Sequence, residues 1–163
     1  VRDTLLAVGG KLDLTMGGPG FDLFGRNTNY VKVYTPKQEF GPAEFRRMVY
    51  QFKPRMQLDD TFGAFDCPDA GQIAPKRNVS TTPLQALALW NNGFALRAAD
   101  AFATRVSKEA EGVEKQVRRA WQLAYQRDPT PDEAKLATKL VSDHGLKALC
   151  RVLFNSNEFV TAE

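Results

Sequence analysis

The sequence predicts a mainly α-helical protein, in which an irregular Gly/Pro-rich region with a small β ribbon precedes a C-terminal bundle of four to five helices. Three observations support this fold class. Apolar residues recur every three or four positions from residue 83 to residue 159. Thr-Pro pairs at 82–83 and 130–131 are typical of helix starts. Glycine and proline crowd the stretch from residue 17 to residue 25, where no helical pattern continues.

The first elements are short. Residues 2–14 predict a short amphipathic helix that ends near the Gly9-Gly10 pair or shortly past it. Alternation in "YVKVY" (30–34) and "RMVYQF" (47–52) predicts two strands, which we expect to pair as an antiparallel ribbon. Residues 60–66 are consistent with a single helical turn.

Helix boundaries in the second half follow from capping residues. Thr82, Pro83 and Gln85 form a capping box that predicts a helix from Pro83. "NNG" at 91–93 and Gly112 predict the next two breaks. The sequence from 130 to 133 repeats the cap, and the helix it begins should end at His144-Gly145. A last helix follows, and "NSNEF" at 155–159 either closes it or presents a polar edge to a neighbouring domain.

The periodicity also predicts which side chains form the core. The expected core residues are Leu84, Leu87, Trp90, Phe94, Phe102, Trp121, Tyr125 and Leu149. The chain therefore divides into residues 1–82 and residues 83–163, which we expect to form one compact domain. Because it starts without Met and already in helical rhythm, we expect it to be a fragment of a longer protein.

Charge and hydropathy exclude several classes of function. The chain has 22 Lys and Arg against 19 Asp and Glu, and its cationic pairs at 46–47, 76–77 and 118–119 each have acids nearby. A nucleic-acid-binding protein would more often concentrate its basic residues on one face, so we expect no nucleic-acid partner. Apolar runs are far shorter than the roughly 20 residues that cross a bilayer, so no membrane span is expected.

The two cysteines, Cys67 and Cys150, begin no C-x-x-C or C-x-x-C-H motif. The familiar spacings for zinc or covalent haem are therefore missing, and we expect no cofactor in this fragment. The cysteines are either two small buried side chains or a long-range disulfide.

One loop contains the best candidate site. Asp66, Asp69, Lys76, Arg77 and Asn78 are the candidate ligand-binding residues, because carboxylates beside cations could bind a polar sugar or act as acid and base. Alternatively, Asp66 and Arg77 tie this proline-rich loop down as an ordered strap over the bundle.

Other candidates are weaker. His144, the only histidine, is expected to cap a helix rather than to act as a ligand or base. Phe21, Phe24, Tyr30 and Tyr34 lie in the Gly-rich and strand region, where stacking on sugar rings would suit them.

Five stretches together resemble a known family: "VRDTLLAVGGKLDLTMGGPG", "FDCPD", "PKRNVSTTPLQALALWNN", "RRAWQLAYQRDPTPDE" and "LCRVLFNSNEFV". They are similar to the C-terminal part of the DUF1553 (PSD1) domain of planctomycetes and related bacteria. The resemblance implies a domain of unknown function within large exported proteins, in the periplasm or outside the cell, often beside a cytochrome c domain. It supplies no catalytic residues.

Two hypotheses on function follow. The domain is either a non-catalytic structural or interaction module that docks on other domains of the same polypeptide, or a wall of an active site or binding cleft for polysaccharide that uses loop 66–80.

Overall fold

A computed structural model describes residues 1–26, 33–37, 39–54, 65, 75 and 82–161. Over these residues the protein is mainly helical with a two-stranded antiparallel ribbon, which confirms the predicted fold class. The elements are α1 Arg2–Val8, β1 Phe24–Arg26, β2 Tyr34–Pro36, α2 Pro83–Asn91, α3 Gly93–Glu109, α4 Val113–Tyr125, α5 Pro131–His144, α6 Leu146–Phe154 and α7 Asn157–Val160. Two 3₁₀ turns cover Pro42–Phe45 and Met48–Tyr50. No helix in these ranges is both long and apolar enough to cross a membrane.

Helix α1 ends at Val8, and the Gly9-Gly10 pair follows it as predicted. Gly10 has a φ of +66°, and a Cβ placed on it would lie 3.2 Å from Cδ of Arg105. A larger residue there would be strained and crowded, so the glycine lets α1 turn tightly against α3.

The ribbon forms, but the predicted strand pairing is wrong. Phe24 pairs with Pro36 and Arg26 with Tyr34, so the two strands lie on either side of residues 27–33. The stretch 47–52 instead contains a 3₁₀ turn, in which Tyr50 donates its N–H to the carbonyl of Arg47 at 3.0 Å. Asp3 accepts the Met48 N–H at 2.9 Å, and this tertiary hydrogen bond competes with strand pairing.

Local capping fixes the helix starts of the second half. The Thr82 hydroxyl accepts the Gln85 N–H at 3.3 Å, and Thr130 accepts the Glu133 N–H at the same distance. The Asn92 side chain accepts the Phe94 N–H at 2.7 Å and starts α3. These contacts confirm the predicted boundaries. Helix α5 ends at His144, as predicted.

The described residues from 83 to 161 form six helices, where four to five were predicted. The extra one arises because α6 ends at Phe154 and the Ser156 hydroxyl starts α7 by accepting the Phe159 N–H at 3.2 Å. Asn155 lies at the C-terminal cap of α6.

The core lies between α3 and α6, with α4 and α5 packed around them. Phe102 of α3 stacks on Phe154 of α6, with ring centroids 5.2 Å apart. Trp121 and Leu149 are buried, as predicted, and so are Phe94 and Phe102. Leu84, Leu87 and Trp90 are exposed, so the prediction that they belong to the core is wrong.

Candidate functional site

The candidate ligand-binding residues Asp66, Asp69, Lys76, Arg77 and Asn78 all lie outside the described residues. The helical turn predicted at 60–66 is outside them except for Phe65, and Cys67 and Tyr30 are outside them too. The strap and cleft interpretations of this loop therefore stay predictions. Phe65 itself is half-buried and packs against the core.

The proposal that Phe21 and Phe24 stack on sugars is wrong, because both side chains are buried. The Arg2 guanidinium lies 4.9 Å from the centroid of the Phe21 ring, and Phe24 packs edge-on against half-buried Tyr34 at 6.0 Å. Both rings belong to the buried cluster that the N-terminal region shares with the bundle.

His144 lies where its sequence position predicts, at the exposed C-terminal end of α5. Across the described residues, no three side chains of the His, Cys, Asp and Glu types lie close enough together to hold a metal ion.

Cys150 is a buried free thiol on α6. Burial raises the pKa of this thiol to about 12, so it is protonated at neutral pH. A thiol in this state is a packing group rather than a nucleophile.

Two grooves on the bundle are lined by side chains that bind one another. The first, of about 690 Å³, lies between α1 and α3. There Arg105 donates to the carbonyl of Val8 at 3.0 Å and pairs with Glu109 at 2.7 Å. The second, of about 680 Å³, lies between α4 and α5, and Arg118 pairs with Asp128 beside it. Because these charged side chains already pair with one another, contacts within the protein explain why they line the two grooves.

The outer side of α2 exposes three large apolar side chains on one helix; we call it the α2 face and define it as Leu84, Leu87 and Trp90. Their exposed fractions are 64%, 57% and 39%. Helix α2 buries its opposite side, with Gln85 and Leu89, against α3. Leu87 lies two residues before Leu89, which is roughly 200° around the helix and thus on the other side.

The α2 face was missed in the sequence because α2 is apolar nearly all round. The segment "PLQALALWN" has small or apolar residues on every side, so no period shows which side is buried. Gln85 is the polar residue that enters the interior, because its side chain accepts the Thr82 N–H at 3.1 Å.

Neighbouring elements hold the α2 face in place. The Arg151 guanidinium of α6 lies 4.2 Å from the centroid of the Trp90 ring and donates to the Trp90 carbonyl at 2.5 Å. The caps at Thr82 and Asn92 fix the two ends of α2. The face is therefore a preformed apolar surface with a cation at one edge.

One family model, described as "PSD1: Protein of unknown function (DUF1553)", matches residues 1–141. The chain belongs to this family. No curated protein and no solved structure shows a significant match. The DUF1553 match includes α1 to α4 and most of α5, so it contains the whole α2 face, whereas Arg151 lies beyond it.

Proposed function

We propose that this DUF1553 chain is a non-catalytic interaction module of a large exported multidomain protein, and that its α2 face docks against another part of the same polypeptide. The observation that supports this proposal is the exposure of two leucines and a tryptophan on one side of a well-capped helix. A helix that is apolar all round is normally covered on all sides.

The energetics favour docking over permanent exposure. Burying one large apolar side chain is worth about 1.5 to 3 kcal/mol, and tryptophan is among the commonest energetic centres of interfaces. Because the caps already order α2, docking loses little conformational entropy. The Arg151 guanidinium beside Trp90 favours a partner surface that is apolar in the middle and acidic at its rim.

The test measures binding between this chain and the remainder of its polypeptide, produced separately. Leu87→Asp introduces a charge on the α2 face and should weaken binding at least tenfold. Leu136→Asp is the matched control, because Leu136 is an exposed leucine on α5, at 70%, outside the α2 face. Calorimetric titration of the two variants against the parent gives the comparison.

Three results would contradict the proposal. Equal binding by both variants would show that α2 is not the docking surface. A concentration-dependent dimer that Leu87→Asp abolishes would identify a second copy as the partner. A large fall in the melting temperature of the isolated Leu87→Asp chain would show that the chain covers this face itself.

The alternative, a polysaccharide cleft that uses loop 66–80, depends on the sequence of that loop. Asp66→Asn and Arg77→Gln distinguish the alternatives. Loss of glycan binding with an unchanged melting temperature supports a cleft, and a lowered melting temperature supports a structural strap.

A further inference from the structure

Two pairs of adjacent arginines in the described residues have opposite surroundings. Arg118 binds Asp128 and Arg119 binds Glu109, each at 2.6 Å. Over the same described ranges, neither Arg46 nor Arg47 has a carboxylate within ion-pair distance. Among the described residues, one pair is thus ion-paired, whereas the other has no carboxylate partner.

Arg46 uses its guanidinium on neutral groups. It donates to the carbonyls of Thr15, Gly17 and Pro19, and its guanidinium carbon lies 4.1 Å from the centroid of the Tyr50 ring. Arg46 therefore holds the Gly-rich loop beside Tyr50, and these neutral carbonyls do not compensate its positive charge. The nearby Asp13 carboxylate interacts electrostatically with Arg46. Its hydrogen bond, however, is with the Thr15 N–H, at 2.8 Å.

The Tyr50 hydroxyl is still able to donate a hydrogen bond. Its oxygen accepts the Gly17 N–H at 2.8 Å, and the guanidinium carbon of Arg47 lies 5.7 Å from the centroid of the Tyr50 ring. The Gly17 N–H first, and then the Arg47 charge, hold the pKa of Tyr50 below its usual value. None of the described residues accepts the hydroxyl proton, so an acceptor from outside would complete this group.

We propose that Arg47 and the Tyr50 hydroxyl, in the field of Arg46, bind an oxyanion group such as a carboxylate, sulfate or phosphate. A guanidinium offers paired N–H donors that match two oxygens of such a group, and the phenol adds a third donor. Arg47 and Tyr50 are both half-buried, so part of each side chain is exposed to solvent. The Arg47 Nε is itself buried, so the donors that an anion would reach are the terminal Nη groups. This site is separate from the α2 face and does not depend on docking there.

Amide-detected NMR titration tests the site residue by residue. The intact chain is titrated with sodium sulfate, sodium phosphate and sodium acetate, with sodium chloride at equal ionic strength as the reference. We expect saturable shifts of the Arg47 Nε–H and the Gly17 N–H with at least one oxyanion. Comparing the affinity for acetate with the affinities for sulfate and phosphate distinguishes a preference for a planar ligand from a preference for a tetrahedral one.

The variants separate a site from general charge effects. Arg47→Gln should weaken binding at least tenfold, Tyr50→Phe severalfold, and Arg118→Gln not at all. Arg47→Lys keeps the charge without the paired donors and should retain part of the affinity. Amide spectra of this variant that match the parent away from residue 47 would confirm that it is folded. Shifts equal to those in chloride, or equal binding by Arg47→Gln and Arg118→Gln, would overturn the proposal.

Discussion

Leu149 and Leu87 are the same residue type with the same predicted role, and their surroundings give them different energetic weight. Leu149 is 1% exposed between α3 and α6, whereas Leu87 is 57% exposed on the α2 face. Truncating a buried leucine removes transfer free energy and leaves a cavity, whereas truncating a largely exposed one removes much less transfer free energy and leaves no enclosed cavity.

We therefore expect Leu149→Ala to reduce the free energy of unfolding by about 2 to 5 kcal/mol. Leu87→Ala should change it by less than about 1 kcal/mol, as is usual for surface positions. Urea unfolding followed by circular dichroism measures both values. Similar losses in the two variants would restore the sequence-based prediction that Leu87 lies in the core.

At the scale of elements, the start of α5 depends on an ionic network as well as on its cap. Arg127 binds Glu133 at 2.8 Å and Glu158 of α7 at 2.7 Å. Glu133 also accepts the Thr130 N–H at 2.7 Å. Arg127 first, and then the Thr130 N–H, lower the pKa of Glu133 from 4.5 to about 2.

The sign of the pH dependence follows from this lowered pKa. The network contributes its full stabilisation above pH 4.5 and loses it as the pH falls toward 2. Glu133→Gln should therefore lower the melting temperature at pH 7 and leave it unchanged near pH 2. The cost at pH 7 should stay below about 1 kcal/mol, because the pair is partly exposed and screened.

Melting curves of parent and variant across this pH range check the expectation. Lys135→Gln, on the same helix and without an ion pair among the described contacts, is the control. A difference between parent and Glu133→Gln that persists at pH 2 would contradict the assigned network.

The elements show which information the sequence contains. Helix starts at Thr82 and Thr130 were predictable because a cap is formed by residues only three apart. Strand pairing was not, because residues 47–52 depend on Asp3, more than forty positions away. The buried side of α2 was unpredictable because its composition is apolar all round.

For the candidate functional residues, too, the sequence shows which residues are present but not which tertiary contacts they make. The loop with Asp66 and Arg77 lies outside the described residues, so its predicted role is untested. The sequence shows three cationic pairs but not which of them is neutralised. The difference between Arg46-Arg47 and Arg118-Arg119 depends on tertiary contacts with Asp128 and Glu109.

At the scale of the whole molecule, the N-terminal region and the bundle share one core. Leu5, Leu6 and Val8 of α1 pack in the same buried cluster as Phe94 and Phe102 of α3. Arg2 is buried between them, donates to the carbonyls of Glu44 and Arg46, and lies 5.4 Å from the centroid of the Phe94 ring. Arg2 therefore joins α1 to residues 44–46 by hydrogen bonds and to α3 through the Phe94 ring. Hydrogen bonds between the two parts come from Arg105 of α3, which donates to the carbonyl of Val8 at 3.0 Å.

This shared core predicts that residues 1–54 and the bundle unfold together, as one compact domain. Native-state hydrogen exchange provides a probe on each side: the Asp13 amide, which bonds the Phe45 carbonyl at 2.9 Å, and the amides at the centre of α3. Both should exchange with the same free energy of opening. Arg2→Met should lower that free energy on both sides by on the order of 3 kcal/mol, because it leaves the carbonyls of half-buried Glu44 and Arg46 without their donor. If Asp13 exchanges far more readily than α3 in the parent, and Arg2→Met changes only Asp13, the N-terminal region is a separate folding unit on the surface of the bundle.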